Sequence, residues 1–218
     1  ALCVLVRRAF RELGLEEDPK DVGLCTFGDA SVWGAAFSQT RADQVRTERY
    51  TAVTEILPPK MCVVLQKYYR AVIAKKHHIR FAEKTRRWEF EEAPIANLLN
   101  KQLCVLASKL TGEDLVPTYA FPVHYVDGGH IWPHKDVKDN ELSLTMQLEI
   151  SPEGGEWPLL LESPTTGELK GVTMHDNDGV LYWGTEVVHW RDQVSKNLRV
   201  MQLIFAWRRV DPSACSAQ

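Results

Sequence analysis

From Leu142 to Ile150 the chain alternates cleanly, with Leu142, Leu144, Met146, Leu148 and Ile150 on one face and Ser143, Thr145, Gln147 and Glu149 on the other. A period of two is that of a strand with one face in a core. The opposite face is polar yet uncharged until Glu149, which suits the lining of a site better than open solvent. From Pro117 onward this period dominates. Gly154-Gly155 marks a turn, Trp157 to Glu162 reads as a strand, Asp176 to Gly179 as a turn, and Val180 to Trp183 and Arg199 to Trp207 as further strands. Short strands separated by turn signals at near-regular spacing predict a sandwich or barrel, not βαβ units.

Upstream the period is helical. Met61, Val64, Leu65, Tyr68 and Val72 recur at helical spacing between Lys60 and Ile73, after the start signal Pro58-Pro59. A second helix is predicted from Pro94 to Leu110, with Ile95, Leu99, Leu103, Leu106 and Leu110 on one stripe and Gly112 as its stop. Residues 1 to 55 carry no clear period, and the mixed stretch Thr26 to Thr40 receives no function. The expected organisation is α+β with a mainly β core: a mostly helical region over 1–114 packing on a β domain over 115–210, then a tail over 211–218.

Composition narrows the class. The chain has 218 residues, 44% of them apolar and 25% charged, which excludes disorder, collagen and coiled coil and suits one domain with its own core. With 26 Lys plus Arg against 29 Asp plus Glu, the net charge of −3 generates no strong field, which weighs against nucleic acid and anionic membrane as partners. Cys3, Cys25, Cys62, Cys104 and Cys215 are odd in number and scattered, without a CxxC pair, so buried thiols in a reducing compartment are expected. No segment is long and apolar enough for a signal core or a membrane span, and a cytoplasmic location is expected. The chain begins at Ala1, as a fragment of a longer protein would. Its oligomeric state is not legible.

The strongest chemical signal is His134-Lys135-Asp136. In an extended backbone positions i and i+2 face the same way, so an imidazole and a carboxylate point together. Alone, the pair reads more simply as a surface turn with a His–Asp hydrogen bond. His189 follows 53 residues beyond Asp136. By itself it reads as a satisfied core histidine; with His134 and Asp136 it completes the two-histidine, one-carboxylate facial triad of non-haem Fe(II) oxygenases, which leaves coordination positions open. Arg199 opens the largely apolar run to Trp207, ten residues after His189. A buried guanidinium there needs an anion, either an internal acid or a dicarboxylate ligand. Arg191 is its rival, because it shares the face of His189 in an extended segment.

This order of residues resembles the 2-oxoglutarate and Fe(II)-dependent dioxygenases, particularly the prolyl-4-hydroxylase-like branch. The match runs from Tyr125, nine residues before His134, through Asp136, the strand Leu142–Ile150, the Gly154-Gly155 turn, Asp176–Gly179 and His189 to Arg199, and covers roughly residues 115 to 209. It implies a double-stranded β-helix, or jelly roll, with iron held by His134, Asp136 and His189. It further implies that Arg199 pairs with the distal carboxylate of 2-oxoglutarate and that Tyr125 donates a hydrogen bond to it. The branch commonly carries Lys at the Arg199 position. The implied reaction couples oxidative decarboxylation of 2-oxoglutarate to succinate, at the expense of O2, with hydroxylation of a C–H bond, and ascorbate is an accessory reductant in such systems. Peptide prolyl groups, free amino acids, small metabolites and nucleobases remain open as substrates, in that order.

Other signals carry less. His124, His130 and His175 lack a better-placed carboxylate. His77-His78 lie in Lys75 to Arg87, which holds six Lys or Arg residues and reads as a solvated loop or helix face. Trp132, Trp183 and Trp190 read as packing, with Trp132 able to line a pocket. No nucleophile elbow, P-loop or dinucleotide fingerprint is present. Two readings from other classes stand beside the dioxygenase: a catalytically silent jelly-roll binding module, and a cupin-like metalloenzyme that does not use 2-oxoglutarate. The distinguishing feature is a guanidinium aimed into the barrel, expected of Arg199.

Overall fold

The computed structural model describes residues 2–21, 23–24 and 38–211. Most of the stretch Thr26 to Thr40, Cys25, Cys215 and nearly all of the tail lie outside the described residues. Among the described residues, eleven strands form two facing antiparallel sheets. The larger has the order β1 (Tyr50–Val53), β9 (Asp178–Tyr182), β6 (Leu142–Ser151), β11 (Arg199–Arg209), β4 (Leu115–Tyr125), β3 (Arg87–Phe90), β2 (Ile79–Ala82). The smaller has the order β5 (Ile131–His134), β10 (Val188–Arg191), β7 (Leu159–Glu162), β8 (Leu169–Val172). This is the double-stranded β-helix.

Four helices among the described residues accompany the strands: α1 (Leu2–Glu12), α2 (Gln39–Thr47), α3 (Pro59–Lys75) and α4 (Pro94–Thr111). Both predicted helices form, each within two residues of the expected ends, and each starts on a proline whose missing N–H costs nothing in a first turn. α4 stops where Gly112 takes φ 77° and its N–H returns to the Ser108 carbonyl at 2.8 Å. The stripe Ile95, Leu99, Leu103 and Leu106 is fully buried. It shares a core with Met61, Leu65 and Tyr69 of α3 and with the outer faces of β6 and β11, among them Leu144, Met146, Leu203 and Phe205. Each such side chain contributes roughly 1.5–3 kcal/mol of apolar burial.

Because the apolar face of β6 is covered by helices, its other face, Ser143, Thr145 and Gln147, turns into the space between the sheets. Toward one end that space is closed by Val123, Tyr125, Trp157, Val194, Leu198 and Val200. Toward the other it opens into the cavity described below.

The first half is not helical throughout. Three of its segments add strands to the larger sheet: β1 pairs with β9, and the hairpin β2–β3 joins β4 with Arg87 opposite Tyr125. In the basic run Lys75 ends α3 and Lys76, Lys84 and Arg86 are exposed turn residues, as the solvated reading has it, while Arg80 and Arg87 lie on the four-residue strands of this hairpin. Strands so short cannot display a period.

Candidate metal centre

β5 and β10 are neighbours, and His134 and His189 are directly opposed across them. Their ring centroids lie 4.3 Å apart. Each ring is turned by its own backbone: His134 Nδ1 donates to the Trp132 carbonyl at 2.8 Å and His189 Nδ1 to the Val187 carbonyl at 3.0 Å. That leaves both Nε2 lone pairs facing Asp136, whose Oδ1 is 3.7 Å from His134 Nε2 and 3.6 Å from His189 Nε2. One ligand atom from each of the three lies within 4.8 Å of the others, and among the described residues this is the one such cluster able to hold an ion. Burial is the largest influence on His189 and holds its pKa below the ordinary imidazole value, against the opposing pull of Asp136. The imidazole is therefore kept neutral, the form that binds metal.

Asp136 is fixed from three sides. Its backbone N–H donates to the Gly184 carbonyl at 2.8 Å. Its Oδ2 accepts from Ser143 Oγ at 2.6 Å. At Gly184 a Cβ would stand 2.1 Å from that same Oδ2, so only glycine leaves room for the carboxylate. The Tyr182 ring packs on His189 at 4.5 Å between centroids, and its hydroxyl is bonded to Thr145 Oγ1 at 3.2 Å. Burial, followed by the nearby Asp136 charge, pushes the Tyr182 phenol far above its usual value, so it stays protonated.

The three residues line a cavity of about 420 Å³, within the ~300–1,000 Å³ range of small-molecule sites. Arg191 lines it too, two residues beyond His189 and about 7 Å further along the strand. It is 2% exposed, donates from Nη1 to the Trp157 carbonyl, and lies with its guanidinium carbon 4.6 Å from the centre of the Trp157 ring. No carboxylate among the described residues pairs with it, and burial pushes its pKa down to about 10. Gln202, 1% exposed, also lines this cavity, and its Nε2 has no hydrogen-bond partner.

Arg199 and Tyr125 are not placed as their expected roles require. On β11 the residues facing the cavity are Gln202, Ile204 and Ala206, while Arg199 and Met201 face the helices. The Arg199 guanidinium donates to the Leu198 carbonyl at 2.8 Å and borders a separate cavity beside Tyr69, Arg70 and His124. An anchor counted from His189 by residue number falls on the wrong face of the strand. Tyr125 is fully buried behind the cavity wall, its hydroxyl receiving Arg87 Nη1 at 2.9 Å and its ring meeting Trp157 edge-on. His130 meets Trp132 edge-on and takes no part in the cluster.

Gly184, Tyr182 and Arg87 gave no sequence signal of their own. Ser143 and Thr145 did, as the uncharged face of β6. No helix among the described residues is long and apolar enough to cross a membrane.

No protein-family model matches the chain, and no curated protein sequence matches it. Solved structures do. A prolyl-4-hydroxylase from Pseudomonas putida superposes with a TM-score of 0.62 at 17% identity, over 79% of this chain and 98% of that one. EctD from S. alaskensis, crystallised with 2-oxoglutarate and 5-hydroxyectoine, gives 0.64 at 14% identity over 81% and 78%. The epimerase SnoN in complex with Fe3+, alpha-ketoglutarate and nogalamycin RO gives 0.65 at 12% identity over 78% and 83%. At these identities the likeness is one of fold: the chain shares the jelly roll of iron and 2-oxoglutarate oxygenases.

Proposed function

We propose that this protein is an Fe(II)- and 2-oxoglutarate-dependent dioxygenase that hydroxylates a small molecule or a peptide side chain. The observation that carries the reading is the convergence of His134, Asp136 and His189 in one cavity with a buried arginine that pairs with no acid among the described residues.

The donor set fits the group it would hold. Two neutral imidazole nitrogens and one carboxylate satisfy Fe(II) while leaving the rest of its coordination sphere open, and both histidine tautomers are already set by backbone carbonyls. For the cosubstrate, Arg191 supplies the cation that a distal carboxylate pairs with, in place of Arg199. Gln202 Nε2 offers a further buried donor in the lining of the same cavity. When bound, Fe(II) and 2-oxoglutarate supply oxidative decarboxylation with O2, giving succinate and CO2 and the oxidising power to hydroxylate a C–H bond.

The chain's own residues contribute ligation, orientation and dryness. Ser143 and Gly184 hold the Asp136 carboxylate in its place. Leu159, Phe121 and Ile204 line the cavity with apolar surface, which limits water around the oxidising centre. The Tyr182 hydroxyl stays protonated and so remains available as a hydrogen-bond donor beside Thr145.

The test is anaerobic titration with Fe(II) and 2-oxoglutarate, followed by the visible charge-transfer absorption of the chelated pair, then succinate release in air without added substrate. Both signals are expected from folded protein. Their joint absence returns the chain to the reading of a silent jelly-roll binding module.

A further inference from the structure

The cavity holds a second arginine that the metal triad and Arg191 leave unexplained. Arg87 enters from β3, outside the strands that carry the triad, and lines the same cavity as Asp136. Its Nε and Nη2 donate to Glu89 Oε1 at 3.0 and 2.9 Å, its Nη1 to the Tyr125 hydroxyl at 2.9 Å, and its guanidinium carbon lies 5.2 Å from the centre of the Phe121 ring. A guanidinium carries five N–H donors. These contacts use three and leave one on each Nη.

Glu89 does not cancel the charge. It is shared with Arg80, so the cluster Arg80, Glu89, Arg87 keeps a net positive charge. Arg191 answers the one carboxylate that 2-oxoglutarate keeps free when its other end meets the metal. Arg87 is then available to a different anion. Tyr119 ties the two regions together, since its phenol lies within electrostatic reach of both Arg87 and Asp136.

The cavity carries aromatic rings at its edge. Trp132 lines it and is 70% exposed. On the facing sheet Tyr119, itself exposed, stacks on Phe121 with ring centroids 5.4 Å apart and planes inclined at 30°. Trp132, Tyr119 and Phe121 line the same cavity as Arg87, and aromatic walls of this kind suit a ring-bearing ligand.

We infer that the substrate is a small ring-bearing carboxylate, its ring held between Trp132 and the Tyr119–Phe121 pair and its carboxylate on Arg87. The word substrate rests on the dioxygenase reading; the binding preference does not. The experiment loads the protein with Mn(II) and 2-oxoglutarate and titrates 3-phenylpropionate and, separately, 3-phenylpropionamide by calorimetry. The acid is expected to bind at least tenfold more tightly than the amide, about 1.4 kcal/mol. Arg87→Gln abolishes that preference and leaves 2-oxoglutarate affinity unchanged, while Arg87→Lys restores part of it. Trp132→Ala, at an exposed position where folding is not at stake, weakens the acid at least tenfold. Equal binding of acid and amide, no binding of either, retention of the preference in Arg87→Gln, loss of 2-oxoglutarate affinity in that variant, or no effect of Trp132→Ala overturns the inference. If the parent protein fails to bind Mn(II) and 2-oxoglutarate, the dioxygenase reading falls, and the acid preference is then read on the metal-free protein.

Discussion

His134 and His189 are opposed residues on adjacent antiparallel strands, and each uses its Nδ1 on a backbone carbonyl so that both Nε2 atoms face the Asp136 carboxylate. The ligands are thus set by sheet register and need no induced movement to meet one ion. Replacing either imidazole of the pair removes a ligand from a prepared site. His134→Ala and His189→Ala are each expected to lose on the order of 100-fold or more in Mn(II) or Fe(II) affinity, measured by anaerobic titration, and to lose succinate production. Parent-like affinity in either variant sinks the triad.

Gly184 is expected to be as necessary as a ligand although it offers no donor. A Cβ there would stand 2.1 Å from Asp136 Oδ2 and 2.8 Å from its Cγ, so Gly184→Ala must displace the carboxylate. The variant should retain its far-ultraviolet circular dichroism and lose metal binding to the extent that Asp136→Ala does. Tight metal binding by Gly184→Ala would show that the carboxylate has another place to go.

Ser143 acts on the same carboxylate by a hydrogen bond of 2.6 Å to Oδ2. Removing such a partner typically costs 10–100-fold in metal affinity, because the ligand loses its orientation and not its charge. Ser143→Ala should therefore fall between the parent and Gly184→Ala, and Ser143→Thr, which keeps the hydroxyl, should stay close to the parent. Isothermal metal titrations of the three variants rank them directly.

Arg191 is predicted to trade stability for ligand binding. Its pKa is pushed down by burial to about 10, below the ordinary arginine value, so the charged form is disfavoured in the fold. The penalty is fully present below pH 10 and fades only as pH rises from there toward the ordinary arginine pKa. Arg191→Met should thus raise the unfolding free energy of the ligand-free protein by about 1–3 kcal/mol. The same variant should lose the thermal stabilisation that Mn(II) with 2-oxoglutarate confers on the parent. A destabilised Arg191→Met that still responds to 2-oxoglutarate contradicts both parts.

Much of this architecture is legible in the sequence where one element is long enough to repeat its pattern. The alternation over Leu142–Ile150 announced both the covered face and the lining face of β6, and the leucine stripe announced α4. His134 and Asp136 were legible as a pair because extended backbone puts i and i+2 together, and His189 because its residue type suited the same ion. What could not be read is parity and partnership. Whether Arg199 faces inward depends on the register of β11 against β4 and β6, and whether Arg191 does on that of β10 against β5 and β7. Arg87 reaches the cavity only because a four-residue strand from the first half docks beside Tyr125, a contact spanning 38 positions. Gly184 matters only through a close approach to a residue 48 positions earlier.

His124 provides the clearest acid sensitivity away from the metal centre. It lies on the helix side of the larger sheet, lining the cavity beside Arg199, with an Nδ1 that has no hydrogen-bond partner. Burial first, and Arg199 second, push its pKa from 6.5 down to about 4, while Glu149 pulls weakly the other way and is itself held by Arg70. A histidine with a depressed folded pKa is one the unfolded chain protonates first. Between pH 6.5 and pH 4 the unfolded state therefore binds a proton that the folded state refuses, and stability falls as pH falls through that window. At pH 4.5 the loss attributable to this residue is roughly 2–3 kcal/mol relative to pH 7. Gln at this position keeps a polar side chain but cannot take up the proton. Urea unfolding of the parent and of His124→Gln at the two pH values should show the parent losing more stability than the variant by about that amount. Equal losses would place the acid sensitivity of the fold elsewhere.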